Sequence, residues 1–180
     1  AFESAAPNLV PNDVNNGSDV FVREINTGLT EIVNVSTGGA MPTYSVCNCG
    51  PSNYCSWAGG SSVSADGRFV AFGTMADNLA GGADYPCRID VFVRDRWLGT
   101  TTLISPGLNG APSTKDSFAP SISGDGRYVV FRSESDNLVP GDQDQSDVFL
   151  WDQTSGSLSL VTRGLGGVPA NGHSYDPSIS

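Results

Sequence analysis

The sequence predicts an all-β fold of β-propeller blades, each of four antiparallel strands, with about three repeats and a ring left incomplete within this chain. Three observations carry that expectation. The first is a long internal repeat. Ser62-Val63-Ser64-Ala65-Asp66-Gly67-Arg68-Phe69-Val70-Ala71-Phe72 returns as Ser121-Ile122-Ser123-Gly124-Asp125-Gly126-Arg127-Tyr128-Val129-Val130-Phe131. Asp77-Asn78-Leu79 returns as Asp136-Asn137-Leu138, and Asp90-Val91-Phe92 as Asp147-Val148-Phe149. Pro7-Asn8-Leu9 and Asp19-Val20-Phe21 give a third copy near the start. The second observation is turn density, with 22 Gly and 11 Pro in 180 residues. The third is that the apolar runs are short and show no sustained helical period or helix cap. A sandwich shares the strand content, but it does not repeat one unit three times.

The elements follow in order within a unit, read most clearly from the third copy. Strand a is Pro120 to Ser123. Asp125-Gly126 predicts a tight primed hairpin turn, which needs positive φ. Strand b, Arg127 to Ser133, is apolar from Tyr128 to Phe131, as a strand buried on both faces is. Strand c, Asp147 to Asp152, carries Val148, Phe149 and Trp151. Thr154-Ser155-Gly156 turns the chain, and strand d runs from Ser157 to Thr162. Phe21, Phe72, Phe92, Phe131 and Phe149 recur at matched strand positions and read as core. The chain divides into a partial first repeat, 1–40 (strands b to d), and a second repeat, 41–105, which carries an insertion. A third repeat spans 106–163. Residues 164–180 begin a fourth, because Pro177-Ser178-Ile179-Ser180 repeats Pro120-Ser121-Ile122-Ser123.

Composition narrows the role. The formal net charge is −10, which argues against nucleic-acid binding, since phosphate recognition needs a basic footprint. Lys115 is the only lysine, so no polybasic membrane patch exists. No apolar run approaches the roughly 20 residues of a membrane helix. Ala1-Phe2-Glu3 has neither the basic start nor the apolar stretch of a signal peptide.

The run from Pro120 through Phe131, followed by Asp136-Asn137-Leu138-Val139-Pro140-Gly141-Asp142 and Asp147-Val148-Phe149, resembles the TolB-like β-propeller repeat of secreted bacterial and archaeal proteins. The resemblance covers nearly the whole chain. It implies an extracytoplasmic and mostly non-catalytic protein, used for binding and assembly, and it fixes no ligand. The second unit departs from it, with Ala80-Gly81-Gly82-Ala83-Asp84 in place of Val-Pro-Gly-Asp.

Four cysteines mark that second unit. Cys47, Cys49 and Cys55 lie in an enlarged d–a connection, 35–60, and Cys87 lies in an enlarged b–c loop. Loops alternate ends in an up-and-down blade, so both segments emerge on one face. Cys47 and Cys49 are too close in sequence to bond comfortably to each other. Two pairings remain: 47–55 with 49–87, or 47–87 with 49–55. Disulfides imply an oxidising compartment, hence a secreted protein. A four-thiolate zinc site is the rival, but no Cys-x-x-Cys knuckle is present. Tyr54 and Trp57 in the insertion cap the cysteines or offer a contact surface.

The b–c loops of the first and third units are acidic. Asp13, Asn15 and Asp19, then Asp142, Asp144 and Asp147, offer the hard oxygens that Ca²⁺ accepts. No Glu closes either loop, and the simpler reading is that such residues bond their own backbone in turns. Asp19, Asp90 and Asp147 recur at each strand c start, where they orient that strand. Asn16 and Asn34 match the N-glycosylation acceptor pattern.

Catalysis finds little footing. His173, the only histidine, sits beside Ser174 and near Asp176, but it aligns with Asp116, as an ordinary loop position would. No nucleophile elbow, phosphate loop or zinc-hydrolase motif occurs. The expectation is therefore a non-enzymatic, secreted module acting in extracellular structure or self-assembly, with copies of itself or further repeats of the same chain as partners. The chain starts inside strand b and stops after strand a, so copies are expected to complete one another as a ring or filament, unless it is a window of a longer array. The alternative is a recognition domain of a larger extracellular protein, binding a glycan, peptide or protein.

Overall fold

The computed structural model describes residues 1–15, 17–45, 58–79, 87–143 and 145–180, the side chains of 58 and 59 excepted. Asn16, Cys47, Cys49, Tyr54, Cys55, Trp57, Asp144 and the loop 80–86 therefore lie outside the described residues.

The described residues form three antiparallel sheets. The first blade contains β1 (Phe2–Ser4), β2 (Asp19–Arg23) and β3 (Thr30–Ile32). The second contains β4 (Ala58–Val63), β5 (Phe69–Thr74), β6 (Asp90–Asp95) and β7 (Thr100–Leu103). The third contains β8 (Ser117–Ile122), β9 (Tyr128–Ser133), β10 (Asp147–Asp152) and β11 (Ser157–Leu160). Each sheet is a meander with neighbours in chain order, and β1 takes the place of strand b. Strand a of the third blade starts at Ser117, earlier than its sequence pattern suggests. A bulge between Phe118 and Ser121 breaks the alternation there, and the second blade has the same break between Gly59 and Ser62.

The blades stack face to face. Successive residues of a strand point to opposite faces, and β5 uses both. Val70 and Phe72 join Val20, Val22, Val33 and Phe92 against the first blade. Phe69 and Ala71 join Val91, Ile122, Val129, Phe131 and Phe149 against the third. This is why the middle strands read as continuous apolar runs. One Phe pair recurs across strands b and c of every blade: Phe2–Phe21, Phe72–Phe92 and Phe131–Phe149, with ring centroids 5.6, 5.9 and 5.8 Å apart. Packing between blades is close at the first strands, where β4 lies against β8, and diverges toward the fourth. The Ile122 N–H donates to Ser62 Oγ at 3.2 Å, and the Ile179 N–H donates to Ser121 Oγ at 3.2 Å. One blade-to-blade step is thus made twice.

The a–b turn corrects the primed-turn expectation. Only the glycine is left-handed, with φ of 73° at Gly67 and 75° at Gly126. The preceding aspartate works through its side chain instead. Asp66 Oδ1 accepts from Ser64 Oγ (2.6 Å) and the Arg68 N–H (3.0 Å). Asp125 Oδ1 accepts from Ser123 Oγ (2.6 Å) and the Arg127 N–H (2.9 Å). Those bonds, the serine hydroxyl's first, hold both carboxyl groups below the usual carboxylate range. A side-chain cap of this kind removes the need for a second positive φ.

Candidate functional site

The strand-c aspartates sit in one repeated clasp. Asp19, Asp90 and Asp147 are all buried, with at most 1% of their surface exposed. Each is gripped by a polar residue just past strand d of its own blade. Asn34 donates its amide to Asp19 Oδ1 (2.8 Å) and accepts the Val20 N–H (3.0 Å). Ser105 donates to Asp90 Oδ1 (2.7 Å) and accepts the Val91 N–H (3.0 Å). Thr162 donates to Asp147 Oδ1 (2.6 Å) and accepts the Val148 N–H (3.1 Å). Three different side chains therefore close one geometry, which orients strand c as the sequence pattern suggests. Asn34 is corrected as a glycosylation candidate. It is fully buried, and the nitrogen a glycan would occupy is the one that grips Asp19.

The acidic loops lie beside two of these clasps. Leu9-Val10-Pro11-Asn12-Asp13 matches Leu138-Val139-Pro140-Gly141-Asp142, and the residue before each aspartate is left-handed, with φ of 65° at Asn12 and 77° at Gly141. Asp13 is 8% exposed, and its charge acts on Asp19. Burial pushes the Asp19 carboxyl up, the amides of Asn34 and Asn15 oppose that, and Asp13 adds to it. Asp142 is pushed up to about 6, by burial first and then by the charges of Asp147 and Asp136, against the Gln143 N–H it accepts. Asn15 is placed differently from a metal ligand. Its amide nitrogen donates to Asp19 Oδ1 (3.0 Å), and its oxygen accepts the Gly17 N–H (2.9 Å). Among the described residues no group of three His, Cys, Asp or Glu side chains gathers as a metal site. Two carboxylates per loop is what these residues assemble.

His173 takes the place of Asp116. Asp116 Oδ1 accepts the Ile89 N–H (3.0 Å), and His173 Nδ1 accepts the Ser146 N–H (3.0 Å). Ile89 and Ser146 both immediately precede a strand-c aspartate. In both cases the next residue closes the contact, Ser117 N–H to Ile89 O and Ser174 N–H to Ser146 O. The first blade's counterpart is Tyr44, whose hydroxyl donates to Ser18 O (3.1 Å). Burial and the charge of Asp19 raise that phenol above its ordinary pKa.

The recurring Asp-Asn-Leu tripeptide has a role that sequence reasoning missed. Asn78 donates to Met41 O (2.8 Å) and accepts the Thr43 N–H (2.9 Å). Asn137 donates to Pro112 O (3.0 Å) and accepts the Thr114 N–H (3.2 Å). Each ties its b–c loop to the preceding d–a connection, while Leu79 and Leu138 enter the core. The signal was the recurrence itself. Trp151 is likewise core, and Asp152 pairs with Arg127 at 3.0 Å. Cys87, left-handed at φ 70°, is disulfide-bonded.

No known family's profile and no curated protein matches this chain. Solved structures do. TolB from Acinetobacter baumannii is similar at 14% identity and a TM-score of 0.46, over 84% of this chain and 28% of its own. The putative TolB from Agrobacterium tumefaciens is similar at 18% identity and a TM-score of 0.47, over 82% of this chain and 42% of its own. The tricorn protease is similar at 16% identity and a TM-score of 0.44, over 83% of this chain and 11% of its own. The chain spans less than half the length of each. These are likenesses of fold.

Proposed function

We propose that this chain is a non-catalytic module of an extracellular structure, whose blades associate with further blades of the same polypeptide or of another copy. The observation that carries the reading is the two-sided blade. The second blade buries apolar residues on both faces, and the Ile-to-Ser contact that joins it to the third is made again by Ile179 on Ser121. Surfaces of this kind extend by adding equivalent units. The non-catalytic part is supported by how the recurring polar residues are used, since clasp, turn and tie all hold the chain to itself. The extracellular part is supported by the disulfide at Cys87. We assign its partner as Cys47 or Cys49, a tie contributing roughly 2–4 kcal/mol by restricting the unfolded chain. Peptide mapping without reduction checks this, and a free Cys87 thiol overturns it.

Light scattering and electron microscopy of the purified, oxidised chain test the assembly reading. Rings or fibres are the expected result. A stable, monodisperse monomer at every concentration refutes completion between copies and favours ligand recognition. The surface for that second reading is a cleft of about 470 Å³ between the first two blades, lined by Val22, Val63, Arg96 and Trp97 among others. Trp97 is 68% exposed there, with the Arg68 guanidinium 4.9 Å from its ring centroid.

A further inference from the structure

We propose that the b–c loops of the first and third blades are Ca²⁺ sites, each built on a loop carboxylate and the carboxylate heading the strand it feeds: Asp13 with Asp19, and Asp142 with Asp147.

The argument starts from oxygens without donors. Asp147 is fully buried. Its Oδ1 takes the Thr162 hydroxyl, and its Oδ2 is buried with no hydrogen-bond partner. Asp142 Oδ2 is also buried with no partner, and the charge of Asp147 acts on Asp142. The first blade repeats the situation. Asp19 is fully buried, its Oδ1 takes both Asn34 and Asn15, and its Oδ2 has no partner. The charge acting on it is that of Asp13, itself buried.

Burying an unpaired carboxylate is costly, and burying two that repel is more so. A water would satisfy an orphaned oxygen but would leave the repulsion in place. A divalent cation removes both penalties together. The donors are all hard carboxylate oxygens, which excludes the metals that prefer sulfur or imidazole. Ca²⁺ accepts six to eight oxygens in irregular arrangements, with carboxylates mono- or bidentate and the remainder from backbone carbonyls and water. Mg²⁺ demands a near-ideal octahedron, which an irregular loop offers poorly. The Asn15 amide is turned to its hydrogen bonds, so it holds Asp19 in position rather than joining the ligands. This inference stands independently of whether the blades assemble.

Thermal unfolding of the intact, oxidised chain in chelator, in millimolar CaCl₂ and in equal MgCl₂ provides the test. Binding to the folded state alone raises Tm by roughly 5–10 °C per site, hence roughly 10–20 °C for two, at a hundredfold excess of Ca²⁺ over its Kd. Calorimetric titration with CaCl₂ should give two equivalents, falling to one in Asp13→Asn or Asp142→Asn and to none in the double variant. These two positions are chosen because the clasp does not use them. An unchanged Tm overturns the proposal. So does a rise that MgCl₂ matches in full, or one that persists in the double variant, since either is screening of an acidic chain. If a variant fails to fold, the wild-type stoichiometry and the Ca²⁺-over-Mg²⁺ preference still decide.

Discussion

Ser105→Ala isolates the strand-c clasp in the second blade. The serine is fully buried and makes two bonds at once: it donates to Asp90 Oδ1 at 2.7 Å and accepts the Val91 N–H at 3.0 Å. Alanine removes one oxygen and leaves almost no void, so the loss is polar rather than a cavity. A hydrogen bond to a charged group contributes about 1.5–3 kcal/mol, and an orphaned buried N–H costs about 1–3 kcal/mol. Asp90 keeps a second donor, Ser113 Oγ at 3.1 Å, which limits its share of the loss. The expected destabilisation is about 3 kcal/mol, or roughly 6–12 °C in Tm for a chain of this size. Urea unfolding measures it as a fall in midpoint at constant slope. Ser113→Ala, which removes the longer bond alone and orphans no N–H, should cost only about 1.5 kcal/mol. A Ser105→Ala loss below about 0.5 kcal/mol would refute the clasp as a stabilising element.

Three further outcomes are expected. Gly126→Ala places a Cβ against the Phe69 ring at a residue with φ of 75°. Gly156→Ala adds a Cβ in open space at φ 67°, so it should be far milder in the same unfolding assay. Asp142, whose pKa lies near 6 when folded, binds more protons in the folded than in the unfolded state between about pH 4 and 6. Its contribution to stability therefore falls as pH rises through that window. In chelator, Asp142→Asn should gain on the wild type from pH 4 to 6 and level off above, read from Tm across pH. His173→Asp should unfold with the wild type, because Asp116 already makes that contact with a carboxylate, whereas His173→Ala should lose about 1 kcal/mol.

The blades were legible because their rule is local and repeated. Strand c of the third blade begins and ends where its pattern does, and β9 and β10 carry the apolar runs expected of strands covered on both faces. Strand a was legible only in part, since a bulge between Phe118 and Ser121 breaks the alternation by which a strand is read from its own residues. Asp-Gly pointed to the turn but misled on its type, because the carboxylate supplies a cap that a two-residue motif does not advertise. The acidic loops were visible as composition. Which oxygens they leave without donors depends on Asn34 and Thr162, distant in sequence and past the end of another strand.

The clasp and the His173 contact share a logic that bears on function. In each, the fixed partner is a backbone N–H: that of Val20, Val91 or Val148 in the clasp, and that of Ile89 or Ser146 before strand c. The side chain that satisfies it varies freely, as Asn, Ser or Thr in one case and Asp or His in the other. What these positions select is an acceptor of the right reach, because an unpaired buried N–H costs free energy whichever residue stands opposite. His173 Nδ1 accepts the Ser146 N–H, and Ser174 meets Ser146 through its own main-chain N–H and carbonyl. Asp13 and Asp142 stand outside the clasp but recur as the same residue type in two blades. Asp142 also accepts the Gln143 N–H, yet its Oδ2 and those of Asp19 and Asp147 are buried without donors, and it is there that the proposed cation would supply the missing charge.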